Sequence, residues 1–179
     1  DAIPTAAQLS ATDNCGTATV TFAETSSTGG CSGSGGIVRT WTAKDACGNT
    51  SVYVQKITVQ DTTRPTINGL PEDINVSCSG EVPEASINAV TVSDNCNGTV
   101  RISVSDEIVN KNCDNQYTIH RTWTATDVCG NSNTATQTIT VQDTTRPVFT
   151  GVLPQDITVN CDAIPTAAQL SATDNCGTA

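Results

Sequence analysis

The first eighteen residues of the chain, DAIPTAAQLSATDNCGTA, return without a change as residues 162–179. Identity over that length means that the sequence repeats with a period of 161 residues, the spacing from Asp1 to Asp162. A period of this kind constrains architecture before any single motif does, because each copy must bury its apolar face within itself or against a neighbouring copy. The chain reads as one period of a longer tandem array.

The period divides again. ITVQDTTRP occurs at 57–65 and 139–147, RTWTA at 39–43 and 121–125, and Asp-x-Cys-Gly-Asn at 45–49 and 127–131, all offset by 82, the spacing from Arg39 to Arg121. PEDINVSC at 71–78 matches PQDITVNC at 154–161. Each period therefore holds two related units. The expected division is residues 1–60 as a unit without its first strands, 61–142 as a complete unit, and 143–179 as the first strands of the next.

Such short units, in a chain with 3% aromatic residues and no Met, bury only a modest core. Nine cysteines, of which Cys176 repeats Cys15, leave four per unit. Even, regular cysteines in small β units point to disulfides and an oxidising, extracellular setting. No Cys-x-x-Cys spacing is present to suggest zinc or thioredoxin-like chemistry. A net charge of −10 disfavours nucleic acid and anionic membranes as partners and favours divalent cations. No apolar run approaches the roughly 20 residues of a membrane-spanning helix.

Period-two alternation at Val100, Ile102 and Val104, at Ile119, Trp123 and Ala125, and at Ile139 and Val141 predicts half-buried strands. Asn-Gly, Asp-Asn and Cys-Gly-Asn clusters separate them, and no segment carries a helical stripe. The fold class is all-β, with an antiparallel sandwich of about seven strands per unit. Trp41 and Trp123 fall mid-strand and are expected in the core. Arg39 and Arg121 share that face by parity, either packed over the indole or marking a bulge.

DTTRP, P-x-D-I-x-V, the Asp-Asn turn and T-A-T-D-x-C-G-N, in this order, resemble the hyalin repeat, an immunoglobulin-like module of bacterial surface proteins. The resemblance covers the whole chain. It implies tandem immunoglobulin-like sandwiches, an extracellular place, and a role in adhesion or surface architecture without catalysis. On an immunoglobulin-type path, the loops at Cys96 and Cys129 share one end of the sandwich and those at Cys78 and Cys113 the other. The resemblance thus implies disulfides Cys96–Cys129, Cys78–Cys113 and, by equivalence, Cys15–Cys47, with Cys31 bonded to Cys161 of the adjacent copy.

On the same path Asp61 of the linker, Asp94 and Asn95 of the first end-loop, and Asp127 and Asn131 of the second converge at a junction. They form an oxygen ligand set suited to calcium. Asp143, Asp174 and Asn175 form the equivalent junction, and Asp13, Asn14, Asp45 and Asn49 a matching half-site. The other reading is that these residues only shape turns, with Arg64 and Arg146 neutralising the linker acids.

Catalytic chemistry finds no foothold. His120, the single histidine, lies in the strand HRTW; no nucleophile elbow, phosphate loop or metal-hydrolase motif is present. Asp106 and Glu107 are adjacent rather than a facing pair across a cleft. The expected function is a structural filament or adhesin stalk, rigidified by disulfides and inter-domain calcium, whose partners are copies of itself. The alternative is an adhesion module for cell-surface glycans or proteins. Against it, Phe22, Tyr53, Tyr117 and Phe149 are too scattered for a stacking platform.

Overall fold

The computed structural model describes residues 3–31, 34–96 and 98–178. In the N-terminal repeat a short hairpin, β1 (Thr12–Asp13) and β2 (Gly16–Thr17), precedes β3 (Thr19–Thr28), β4 (Gly35–Lys44) and β5 (Thr50–Val59). The last three form an antiparallel sheet in the order β3-β4-β5, with Phe22, Trp41 and Tyr53 in register across it. Gly35 opens β4 because its backbone passes against the Ser27 carbonyl, where a side chain would collide.

In the middle repeat the strands are β6 (Thr66–Asn68), β7 (Ile74–Val76), β8 (Thr91–Ser93), β9 (Arg101–Cys113), β10 (Gln116–Thr126) and β11 (Ser132–Gln142). One sheet has the order β7-β11-β10-β9, with β7 parallel to β11; β6 and β8 form a second. Among the described residues six strands stand where the sequence suggested about seven, and residues 79–90 carry two 3-10 turns, Ser79–Glu81 and Ile87–Ala89. The second turn is capped by Ser86, whose hydroxyl accepts the Asn88 N–H. Beyond these lie β12 (Val148–Thr150), β13 (Ser171–Asp174) and β14 (Gly177–Thr178), antiparallel in that order. The duplicated segment folds the same way twice: Thr12 faces Thr17 in one hairpin and Thr173 faces Thr178 in the other. The architecture is all-β and of the immunoglobulin-like sandwich type.

By compactness the chain divides into two units. One holds residues 1–67, 92–102 and 125–133, the other 68–91, 103–124 and 134–179.

Both tryptophans are core residues. Trp123 is 1% exposed and lies with Ile119, Ile139, Val141 and Val90; its indole N–H donates to the Ser86 carbonyl at 2.9 Å. Trp41 repeats the arrangement, donating to the Ala7 carbonyl at 3.0 Å. The two arginines that parity placed on this face are buried ion-pair partners. Arg121 binds both oxygens of Asp106, each at 2.8 Å, and Arg39 binds Glu24 at 2.7 Å while donating to the Pro4 carbonyl. Glu24 faces Arg39 across β3 and β4, so a cross-strand pair supplies the counter-charge. The Asp106 hydrogen bond holds the Arg121 guanidinium above its ordinary value despite burial.

Candidate metal clusters and the cysteines beside them

The Asp-x-Cys-Gly-Asn turn is built identically in both repeats. Gly48 and Gly130 take φ of 92°, a conformation that L side chains rarely adopt, which closes the turn. Asp127 Oδ1 accepts the backbone N–H groups of Cys129 and Asn131, and Asp127 Oδ2 accepts the Asn131 side-chain amide, all at 2.8 Å. Asp45 makes the same three bonds to Cys47 and Asn49. The Asn49 side chain, then the backbone N–H groups, hold Asp45 below the usual carboxylate range. At Asp127 burial pushes upward, but the Asn131, Cys129 and Gly130 hydrogen bonds outweigh it and the carboxyl again titrates low.

A lowered carboxyl stabilises the fold above its unfolded value of 3.8 and loses that contribution as pH falls through the folded value. Amide hydrogen exchange should therefore show Cys129 and Asn131 well protected at neutral pH and losing protection only below about pH 4. Protection lost nearer pH 6 would contradict this assignment.

The remaining acids behave differently. Asp61 Oδ1 accepts the Thr63 N–H and Asp94 Oδ2 the Cys96 N–H, so each uses one oxygen to shape its own turn. Their other oxygens, Asp61 Oδ2 and Asp94 Oδ1, are buried and have no hydrogen-bond partner. Asp61, Asp94 and Cys96 bring ligand atoms within 4.8 Å of one another. Burial, then the Asp61, Asp94 and Asp127 carboxylates, push the Cys96 thiol up. Asn131 ties this group to the linker by donating to the Asp61 carbonyl at 3.2 Å. Asn95 is exposed and turns its amide nitrogen to the Cys96 sulfur.

The second cluster repeats the first with Asp143, Asp174 and Cys176. The end of the Asn175 amide facing the acids lies 3.3 Å from Asp143 Oδ1, 2.8 Å from Asp174 Oδ1 and 3.2 Å from Thr145 Oγ1. With nitrogen turned that way the amide bridges the carboxylates; with oxygen turned that way it completes a cluster of four oxygens. Thr145 went unrecognised in the sequence, although DTTRP places a hydroxyl two residues after each linker acid. In the half-site, Asp13, Asp45 and Asn49 line one open cleft, while Asn14 is exposed and does not line it. Asp127 and Asp45 are committed to their turns, which leaves Asp61, Asp94, Asp143 and Asp174 as the carboxylates gathered into the two clusters. Among the described residues, neither Arg64 nor Arg146 forms an ion pair with the linker acids.

The disulfides differ from the expected scheme. Cys31 is bonded to Cys129 and Cys78 to Cys176, each pair 98 residues apart with Cα atoms at 5.1 Å. Cys96–Cys129 and Cys78–Cys113 therefore do not form, and Cys15, Cys47, Cys96, Cys113 and Cys161 are free thiols, which also removes Cys15–Cys47 and Cys31–Cys161. The physical reason is proximity. The expected pairs assumed closure within one sandwich, whereas each bond formed reaches from a loop of one repeat to a turn of the next. Cys129 sits in the Asp127 turn and Cys176 beside Asp174, so both bonds are anchored next to the acidic turns.

A family model for HYR-like domains with four cysteines matches residues 1–59 and 66–141. The chain belongs to the HYR-like family. HYR-like domains are extracellular, non-catalytic, adhesion-type modules, and the disulfides here fit that setting. Among the described residues no helix is long and apolar enough to cross a membrane. A similar stretch occurs in an uncharacterized 81.3 kDa protein of Acholeplasma phage L2, 34% identical over 128 residues. That match covers 70% of this chain but 17% of the phage protein.

Proposed function

We propose that the protein is an extracellular structural array, a filament or adhesin stalk, whose HYR-like repeats are locked to one another by disulfides and by calcium. The ion would sit where each DTTRP linker meets an Asp-Asn turn, with Asp61 and Asp94 at one site and Asp143, Asp174, Asn175 and Thr145 at the other. Asn131 positions the first linker by holding the Asp61 carbonyl, and Asn95 stands next to Asp94 as Asn175 does to Asp174.

One observation carries the reading. A carboxylate oxygen buried without a donor is costly, and two of them, Asp61 Oδ2 and Asp94 Oδ1, belong to one cluster. A turn-forming role uses only their other oxygens. A hard cation that accepts six to eight oxygen ligands in a flexible geometry resolves both deficits at once. Magnesium suits the site less, since it demands near-ideal octahedral geometry and sheds water reluctantly.

Calcium at 100 times its dissociation constant should add about 2.7 kcal/mol of stability. For repeats of this size that raises the melting temperature by about 10–20 °C over the value in chelator. Asp94→Asn and Asp174→Asn keep an oxygen for the turn but remove the charge, so each should lose the calcium response of its own site, and the two together most of the response of the chain. Scanning calorimetry with and without chelator checks this, and superimposable melts would overturn the metal assignment.

A further inference from the structure

The two repeats share a core but differ in one hairpin. Residues 26–36, between β3 and β4, read SSTGGCSGSGG, whereas 108–118, at the same offset of 82, read IVNKNCDNQYT. Asn110, Gln116 and Tyr117 stand where the N-terminal repeat has Thr28, Ser34 and Gly35.

Part of this amide content shapes the β9–β10 turn. The Asn112 amide donates to Gln116 Oε1 at 3.0 Å, the Asn115 side chain accepts the Ser79 N–H at 2.8 Å, and the Asn115 carbonyl accepts the Asp143 N–H at 2.9 Å. Lys111 is paired with Asp114 at 3.0 Å. These contacts tie down the tip of the hairpin.

The fold makes no use of the rest. Where β9, β10 and β11 lie side by side, an open groove of about 200 Å³ is lined by Asn110, Gln116, Tyr117, Thr118, Thr140 and Gln142. Among the described residues the side chains of Asn110, Tyr117, Thr118, Thr140 and Gln142 make no hydrogen bond, and Gln116 keeps its amide nitrogen unengaged. Tyr117 is half-buried, so the sheet holds its ring, while Asn110 and Gln142 are exposed. Asn110 is also the non-glycine residue with a positive φ, 54°, among the described residues. A backbone angle of this kind inside a strand re-aims the side chain, and such departures gather at binding sites. The equivalent residues Thr28, Thr58 and Gln60 of the N-terminal repeat, which the whole middle repeat follows in sequence, are exposed as well. Exposure here belongs to the position in the fold.

We propose that this groove binds one residue of a neutral saccharide. An amide offers a donor and an acceptor side by side, which matches a pair of neighbouring sugar hydroxyls, and Asn110, Gln116 and Gln142 supply three amides. Tyr117 adds apolar surface for the C–H face of a pyranose and a hydroxyl at its tip. Thr118 and Thr140 contribute hydroxyls that donate or accept. A single ring flanked by amides serves one sugar, so the scattering of the other aromatics is no obstacle. The lining holds no carboxylate, Lys or Arg, the nearby Lys111 is engaged by Asp114, and a net charge of −10 repels anionic sugars. The volume lies below the roughly 300–1,000 Å³ of sites for larger ligands, which suits one ring. Adhesion of this kind needs no calcium.

Saturation-transfer NMR on the full 179-residue chain, in chelator, with the methyl glycosides of glucose, galactose, mannose and N-acetylglucosamine tests the assignment. At least one glycoside should receive saturation, bind with a dissociation constant on the order of 1 mM, as suits so small a ligand, and shift the side-chain amide resonances of Asn110 and Gln142. Asn110→Gly with Gln142→Ala should weaken that binding at least tenfold and leave circular dichroism and tryptophan fluorescence unchanged, because both side chains are exposed and glycine suits the positive φ. Gln60→Ala, at the counterpart of Gln142, should leave binding as it was. No transfer to any of the four glycosides would overturn the proposal, as would binding indifferent to the double substitution or a stronger response from glucuronate. Displacement of the glycoside by N-acetyl-alanine methylamide, which stands in for a peptide main chain, would assign the groove to protein and overturn it equally.

Discussion

Truncating Trp123 to alanine should cost about 3–5 kcal/mol and unfold the middle repeat under conditions where the native chain is stable. The indole is the largest fully buried side chain and is the one that joins the four-stranded sheet to the 82–90 segment, through its bond to the Ser86 carbonyl. Small domains hold only about 5–15 kcal/mol in total, so the loss removes a large share. Trp123→Phe separates the contributions. It keeps most of the apolar volume and forfeits the single hydrogen bond, for a loss of about 1 kcal/mol plus residual cavity. Urea titration followed by circular dichroism decides the matter, and a Trp123→Ala midpoint close to that of the native chain would contradict the burial described here.

The second large effect concerns Cys31–Cys129. The bond closes a loop of 98 residues, and in the chain-entropy model such a closure contributes about 4.7 kcal/mol. Cys31→Ser combined with Cys129→Ser should therefore melt far below the oxidised native chain. A reducing agent should lower the native chain further toward the variant than it lowers the variant itself. Equal melting of variant and native chain, both oxidised, would mean that the bond constrains nothing of the unfolded state.

Much of the architecture was legible in the sequence because it depends on local chemistry. Alternation at Ile119, Trp123 and Ala125 marks a buried face whatever the neighbours do, and the Asp-x-Cys-Gly-Asn string specifies its turn through bonds spanning only four residues. The partners of Arg39 and Arg121 were not legible. Parity placed the guanidiniums on the core face, but Glu24 and Asp106 become their counter-ions only once the hairpin register is set.

The disulfides escaped for a related reason. Four regularly placed cysteines per repeat are compatible with closure inside a repeat or between repeats, and only tertiary proximity distinguishes the two. The acidic clusters were half legible. The linker acid and the Asp-Asn turn do lie together at Asp61 and Asp94, whereas the commitment of Asp127 to its own turn, and the approach of Thr145 to Asn175, depend on side-chain rotamers that no spacing rule reports.

Because Cys31 is joined to Cys129 across the intervening sequence, a single backbone cut anywhere between them leaves two fragments that cannot part. A protease acting at one exposed loop would nick the molecule without shedding a piece of it. Release would require either a second cut or a reductant, neither of which one enzyme encounter delivers. For a member of a family of extracellular domains, damage of this kind can accumulate silently before anything is lost.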